Sequence, residues 1–228
     1  GSGFLSNRKR KGSVMNAIEY AVLIAAAYCI GAVPFGFLIG KLHGIDIRKV
    51  GSGNIGATNV TRIVGRTAGK ICFALDFLKG VAPVLIAGML FHESAWPALA
   101  AGLATILGHI FPIYLKFKGG KGVSTAAGVA FALAPWPLLT GLAVWAVVFL
   151  AGRYVSLASI VAAASVPVSA ALYRLFGVGG AAARSGVTLV FLTLIALFVI
   201  VRHRSNVKRL LAGTESRFEK KKTRKEDK

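Results

Sequence analysis

The chain has 228 residues, of which 55% are hydrophobic and only 16% charged, with a mean hydropathy of +0.68. Soluble domains carry about 25% charged residues, so this balance excludes an ordinary soluble domain and points to lipid. The net charge of +20 would fit a soluble nucleic-acid binder, but the basic residues are confined to short segments between long apolar runs, the pattern of a membrane protein that follows the positive-inside rule and needs no nucleic acid.

Residues 1–14, GSGFLSNRKRKGSV, read as a foreign addition, since Met15 is a natural start. A signal peptide is the competing reading, with basic Arg8 to Lys11 followed by an apolar core and Ala25-Ala26-Ala27. Such a core spans about 7–15 residues, whereas this run continues unbroken to Gly40, so a membrane span is expected. Apolar runs at 17–40, 68–91, 95–115, 154–176 and 186–201 each match or approach the roughly 20 residues of a spanning helix.

The run at 123–151 carries Pro135-Trp136-Pro137 at its centre, where proline permits a kink or a break. Charge decides between them. Lys41, Arg48, Lys49, Arg62, Arg66 and Lys70 crowd the first loop. Lys116, Lys118 and Lys121 follow the third run, and Arg202, Arg204, Lys208 and Arg209 follow the last. The links near 91–95 and 135 hold no Lys or Arg. Splitting at Pro135 puts every strongly basic segment on one side. The expectation is an all-α integral membrane protein with seven transmembrane helices, N-terminus outside and C-terminus cytoplasmic. One membrane domain then covers 15–217, with a basic, disordered tail at 218–228. Gly and Ala saturate stretches such as 98–108 and 126–134, which allows helices to approach closely in lipid. Cys29 and Cys72 lie within apolar runs and imply neither a disulfide framework nor a metal site.

Four features are unusual for such a chain. The first is GSGNIGATNVTR at 51–62, with Ser52, Gly53, Asn54, Thr58, Asn59 and Arg62. Glycine lets backbone approach a ligand, successive amides form anion nests, and Arg presents a planar fork to phosphate. A plain linker has no need of two Asn and an Arg, so a ligand site is favoured. The second is KFKGGKGVS at 116–124, with Lys118, Gly119, Gly120, Lys121 and Gly122, directly after Gly108-His109-Ile110-Phe111-Pro112. Gly122 replaces the Ser or Thr that a P-loop places after its lysine, so nucleotide chemistry is unsupported while phosphate cradling by amides and a lysine survives. Contact with anionic lipid heads explains this loop equally well, and His109 reads equally as a histidine at a helix end.

The third is HRSNVKRLLAGTE at 203–215, where His203 and Asn206 share a face if the helix continues; an interfacial basic helix is the alternative. The fourth, Asp76 and Lys79 in LDFLKG, lies inside a span. Ionisable groups at that depth pair or line a site, and both readings stand. His43 and His92 read as surface residues.

Together these strings resemble the bacterial acyl-phosphate-dependent glycerol-3-phosphate acyltransferase family, commonly called PlsY, over nearly everything from Met15 to Arg217. The resemblance implies a seven-span enzyme of the bacterial cytoplasmic (inner) membrane whose site faces the cytoplasm. It implies transfer of a fatty acyl chain from acyl phosphate to the 1-hydroxyl of glycerol-3-phosphate, giving lysophosphatidic acid and phosphate at the start of phospholipid synthesis. No cofactor or metal is implied. The partners are the two substrates, membrane lipid and the next acyltransferase in phospholipid synthesis, to which product is handed over. Matched residue by residue, the essential serine and arginine are Ser52 and Arg62. The glycerol-3-phosphate motif is Gly119, Gly120 and Gly122 with Lys121, and the third motif supplies His203, Asn206 and a structural Glu215. Lys79, Lys118 and the polar residues of the first loop join the expected phosphate-binding set.

The residues fit that chemistry. Two phosphate-bearing substrates call for Gly, Arg and Lys, and a mixed anhydride already carries a good leaving group. The expected mechanism is mainly orienting and electrostatic, with His203 or the donor's phosphate taking the proton. None of His43, His92, His109 or His203 has Asp five positions on, which removes acyltransferases built on His-x-x-x-x-Asp. A phosphate-solute transporter is the rival from another class, yet the sequence shows no internal repeat and its polar clusters share one face. A lipid-binding scaffold without catalysis is weaker still.

Overall fold

The computed structural model describes residues 16–92, 94–180 and 184–218. The expected leader, and the tail beyond Phe218, lie outside them. Every regular element among the described residues is helical. Helix α1 (Ala17–Ala32) opens on a capping box, in which the Glu19 amide donates to Asn16 Oδ1 and the Asn16 amide to Glu19 Oε2, both at 2.9 Å. Pro34 interrupts the run, because it lacks the amide that would continue the ladder, and α2 (Phe35–Leu42) resumes after it. The first polar segment, expected as loop, instead contains a short helix, α3 (Ala57–Ile63).

Helices α4 (Arg66–Leu90) and α5 (Trp96–Ile110) follow, then a 3-10 turn at Ile113–Leu115. The run at 123–151 does break at Ala134, into α6 (Val123–Leu133) and α7 (Pro135–Gly152). Pro135 sits at the first position of α7, where no intrahelical amide is needed. Helices α8 (Val155–Leu175), α9 (Gly186–Arg202) and α10 (Arg204–Leu211) complete the described chain.

Among the described residues, five helical segments are long and apolar enough to cross a membrane: Ala17–Leu42, Arg66–Leu90, Trp96–Leu115, Pro135–Gly152 and Val155–Leu175. A sixth is reached if α9 and α10, bent by 54°, count as one broken span. The expected count of seven is not reached by length, because α6 has only 11 residues. At 1.5 Å per residue it extends about 16 Å, half of the roughly 30 Å hydrocarbon layer.

The bundle is apolar outside and partly polar inside, the reverse of a soluble protein. Ile18, Val22, Met89 and Leu90 are more than 60% exposed, whereas Asp76, Lys79, Thr105, His109 and Thr125 are buried. Helix α1 packs on α5, α4 on both α5 and α6, and α8 on α7 and α9. Gly80 of α4 lies against the backbone of Thr125, and Gly128 of α6 against that of Phe77. These contacts leave no room for a Cβ, so the small residues set the α4–α6 spacing.

Candidate active site

A cavity of about 1180 Å³ opens where the three glycine-rich or basic segments meet. Ser52, Asn54, Thr58, Asn59 and Arg62 line it from the first segment, Lys121 and Gly122 from the second, and His203, Asn206 and Glu215 from the third. Segments separated by up to 150 residues in sequence thus share one chamber. Its other arm is apolar, running between α6, α7, α8 and α9 past Leu138, Leu142, Trp145, Phe149, Val166 and Leu192. The volume is at the large end of small-molecule sites, which run to about 1,000 Å³.

The first segment is shaped by its own side chains. Asn59 is 1% exposed. Its amide nitrogen donates to the carbonyls of Ile47 (3.0 Å) and Val50 (3.2 Å), while Oδ1 accepts the Ser52 amide at 3.0 Å. Asn59 therefore holds the loop that presents Ser52 and is itself largely used up. Asn54 Oδ1 accepts the Gly56 amide at 2.8 Å. Gly53, at φ +67°, makes the turn and does not line the chamber. Arg62 donates to Ser216 O at 3.1 Å and stacks over Phe218 at 5.0 Å, joining the first motif to the C-terminal segment.

That segment is built around Glu215. Its carboxylate accepts from Asn206 Nδ2 (2.8 Å), Ser156 Oγ (2.9 Å) and Arg209 Nε (2.7 Å). Burial pushes Glu215 up, but these three donors outweigh it and hold the carboxyl below its usual range. Asn206, fixed through its nitrogen, presents Oδ1 to the Lys121 ammonium, which donates to it. One of three ammonium donors is thereby used, and Lys121 lines the chamber with two to spare. Burial pushes Lys121 down to about 8, opposed by the charge of Glu215 and assisted by Arg209, Arg62 and Arg202.

His203 follows the last residue of α9 and is 3% exposed. Its Nδ1 lies 2.8 Å from Val199 O; a carbonyl only accepts, so this assigns the ring proton to Nδ1 and a lone pair to Nε2. Burial, followed by the charge of Lys121, pushes His203 down to about 4. It is neutral at pH 7 and a weak base.

Several expected phosphate ligands stand elsewhere. Lys79 is buried outside the chamber, donating to Val33 O at 2.7 Å and paired with Asp76 at 2.8 Å. It adds a second donor at the Pro34 break, where Val33 O also accepts the Phe35 amide at 3.2 Å. Lys118 is exposed and does not line the cavity. Nor do Gly119 and Gly120 offer their amides, which donate to Ile110 O (3.1 Å) and His109 O (3.2 Å) at the end of α5. The expected cradle is displaced by a few residues: the unbonded amides belong to the first turn of α6, where Gly122, Val123 and Ser124 line the chamber.

Ser156, Arg209 and Arg202 were not among the expected residues. Ser156 is one small polar residue in an apolar run, which gave no signal. Arg202 donates to Gly120 O at 3.1 Å, a contact no sequence spacing reveals. Arg66 and Lys70 also reach the chamber; their i, i+4 spacing on α4 was the available clue.

A family model described as glycerol-3-phosphate acyltransferase matches residues 21–213. The chain belongs to the glycerol-3-phosphate acyltransferase family. It is 48% identical over 197 residues to the glycerol-3-phosphate acyltransferase of Aquifex aeolicus, covering 86% of this chain and 97% of that one. It is 49% identical over 195 residues to that of Trichlorobacter lovleyi, covering 86% and 95%. Among solved structures it resembles PlsY (YgiH), an integral membrane glycerol 3-phosphate acyltransferase, in its glycerol 3-phosphate form. The TM-score is 0.79 at 45% identity, over 88% of this chain and 96% of that one. The lysophosphatidic acid form of PlsY gives a TM-score of 0.78 at 44% identity, over 88% and 95%. Membership makes this protein a multi-pass membrane acyltransferase of phospholipid synthesis.

Proposed function

We propose that the enzyme transfers a fatty acyl group from acyl phosphate to the sn-1 hydroxyl of glycerol-3-phosphate, giving lysophosphatidic acid and inorganic phosphate. The observation that carries this reading is the two-part chamber. A polar end lined by Arg62, Lys121 and the first turn of α6 suits phosphate groups, and an apolar arm between α6 and α9 suits an acyl chain.

Lys121, steadied by Asn206, supplies charge to the oxyanion and the departing phosphate. Arg62 and the amides of Gly122 and Val123 hold phosphate oxygens, with Ser52, Asn54 and Thr58 along the same wall. His203 Nε2 accepts a hydrogen bond from the substrate hydroxyl and orients it. A base whose conjugate acid ionises near 4 is poorly matched to pH 7. The donor's phosphate, a phosphoryl group of the kind that ionises near about 6, is better matched, so it takes the alcohol proton. The hydroxyl oxygen bonds to the acyl carbon, the carbon–oxygen bond to phosphate breaks, and phosphate leaves with the proton.

Topology follows the same reading. All three basic segments border one chamber, and the positive-inside rule puts that face in the cytoplasm. Seven membrane segments with the N-terminus outside achieve this, α6 being a short one. The site then takes water-soluble glycerol-3-phosphate from the cytoplasm of a bacterial inner membrane and acyl phosphate from the bilayer. Product leaves through lipid toward the next acyltransferase. The test is purified protein in detergent with palmitoyl phosphate and glycerol-3-phosphate. Phosphate release that needs both is expected; binding without release sinks the reading.

A further inference from the structure

We infer that Asp76 and His109 are positioning residues for Lys121, acting through the backbone of Gly120; this rests on the role proposed for Lys121 above. Asp76, on α4, is 1% exposed, and His109, in the last turn of α5, is 4% exposed. Asp76 Oδ1, which also takes the Lys79 ammonium, and His109 Nδ1, which has no other partner, face each other at 3.5 Å, both closed to solvent. Substrate therefore does not reach these two atoms, although both residues border the chamber floor. Lys79 fixes the carboxylate from one side at 2.8 Å and is tied to Val33 O, so two helices set its direction.

The opposite edge of the His109 ring, at Nε2, packs against Gly120 so closely that only glycine fits. The same histidine's carbonyl accepts the Gly120 amide at 3.2 Å. From the other side Arg202 donates to Gly120 O at 3.1 Å. Gly120 is thus gripped between α5 and α9, and the next residue is Lys121. Buried ion pairs are weak sources of stability, and apolar replacements are often as good. A charge kept at membrane depth beneath a catalytic loop is accounted for by what it orients.

His109→Phe keeps a ring beside Gly120 and severs the link to Asp76. The pair Asp76→Leu with Lys79→Met severs it from below without leaving a lone buried charge. Each is expected to lower kcat by about ten- to a hundredfold while KM for either substrate and Tm stay near wild type. In a Lys121→Arg background the same changes should cost little more, because positioning acts through that lysine. A folded variant with wild-type kcat overturns the inference, as does a loss that multiplies fully with Lys121→Arg. Absence of turnover in the wild type itself instead sinks the donor assignment, and this inference with it.

Discussion

Two carboxylates border the chamber, and the structure treats them in opposite ways. Glu215, near the basic face, is enclosed by donors from Asn206, Ser156 and Arg209. Asp76, at membrane depth, has one ammonium at 2.8 Å, with an imidazole at 3.5 Å and the Cys72 thiol at 3.7 Å as weaker partners. Beside water a carboxylate can collect a full set of polar partners from a loop. Within the bundle each partner must come from a helix wall, and few are placed there. Yet both reach Lys121 indirectly, Glu215 through one residue and Asp76 through two. Glu215 holds Asn206, which takes the ammonium, and Asp76 faces His109, on which Gly120 rests. The lysine is steadied at its tip from one side and at its backbone from the other.

Each grip can be broken separately. The larger effect is expected from Gly120→Ala, since the added methyl overlaps the His109 ring, which the packed helices hold in place. Displacing the loop by about an ångström should lower kcat about a hundredfold, with helicity by circular dichroism unchanged. On the other side, Glu215→Gln keeps the shape but loses the charge that Arg209 and Asn206 answer. Steady-state kinetics should show a loss of about tenfold, with about 1–3 kcal/mol of stability lost in denaturant titration.

The mildest change is pH. Lys121 must be protonated to act, and burial sets it at about 8 in the free enzyme. Stopped assays should therefore show kcat/KM falling as pH rises through that value. In Lys121→Arg the fall should be absent, because guanidinium keeps its proton. The limb for kcat should lie higher than that for kcat/KM, since bound phosphate stabilises the ammonium.

The apolar runs made the helices legible, and the Pro135 break was legible because proline allowed it and the side of the basic segments required it. Charge argued for seven spans, but neither charge nor periodicity shows that α6 has only 11 residues. In the chamber, Ser52, Arg62, Lys121, His203 and Asn206 stood out as polar residues in an apolar chain, and the fold gathers them. The amides of Gly119 and Gly120 misled for a physical reason: α5 ends in carbonyls that need donors, and the glycines supply them. Lys79 misled similarly, its charge serving a helix break instead of substrate. His109 looked like any helix-end histidine, because its contact with Asp76 joins two helices 33 positions apart and leaves no local pattern.

In the proposed mechanism Lys121, and not His203, is the indispensable group. The direct test is phosphate release from palmitoyl phosphate and glycerol-3-phosphate by Lys121→Ala and His203→Ala, purified and assayed in parallel. Release by Lys121→Ala should fall to background while His203→Ala keeps measurable turnover. Equal and complete loss in both would make His203 the base and contradict the account.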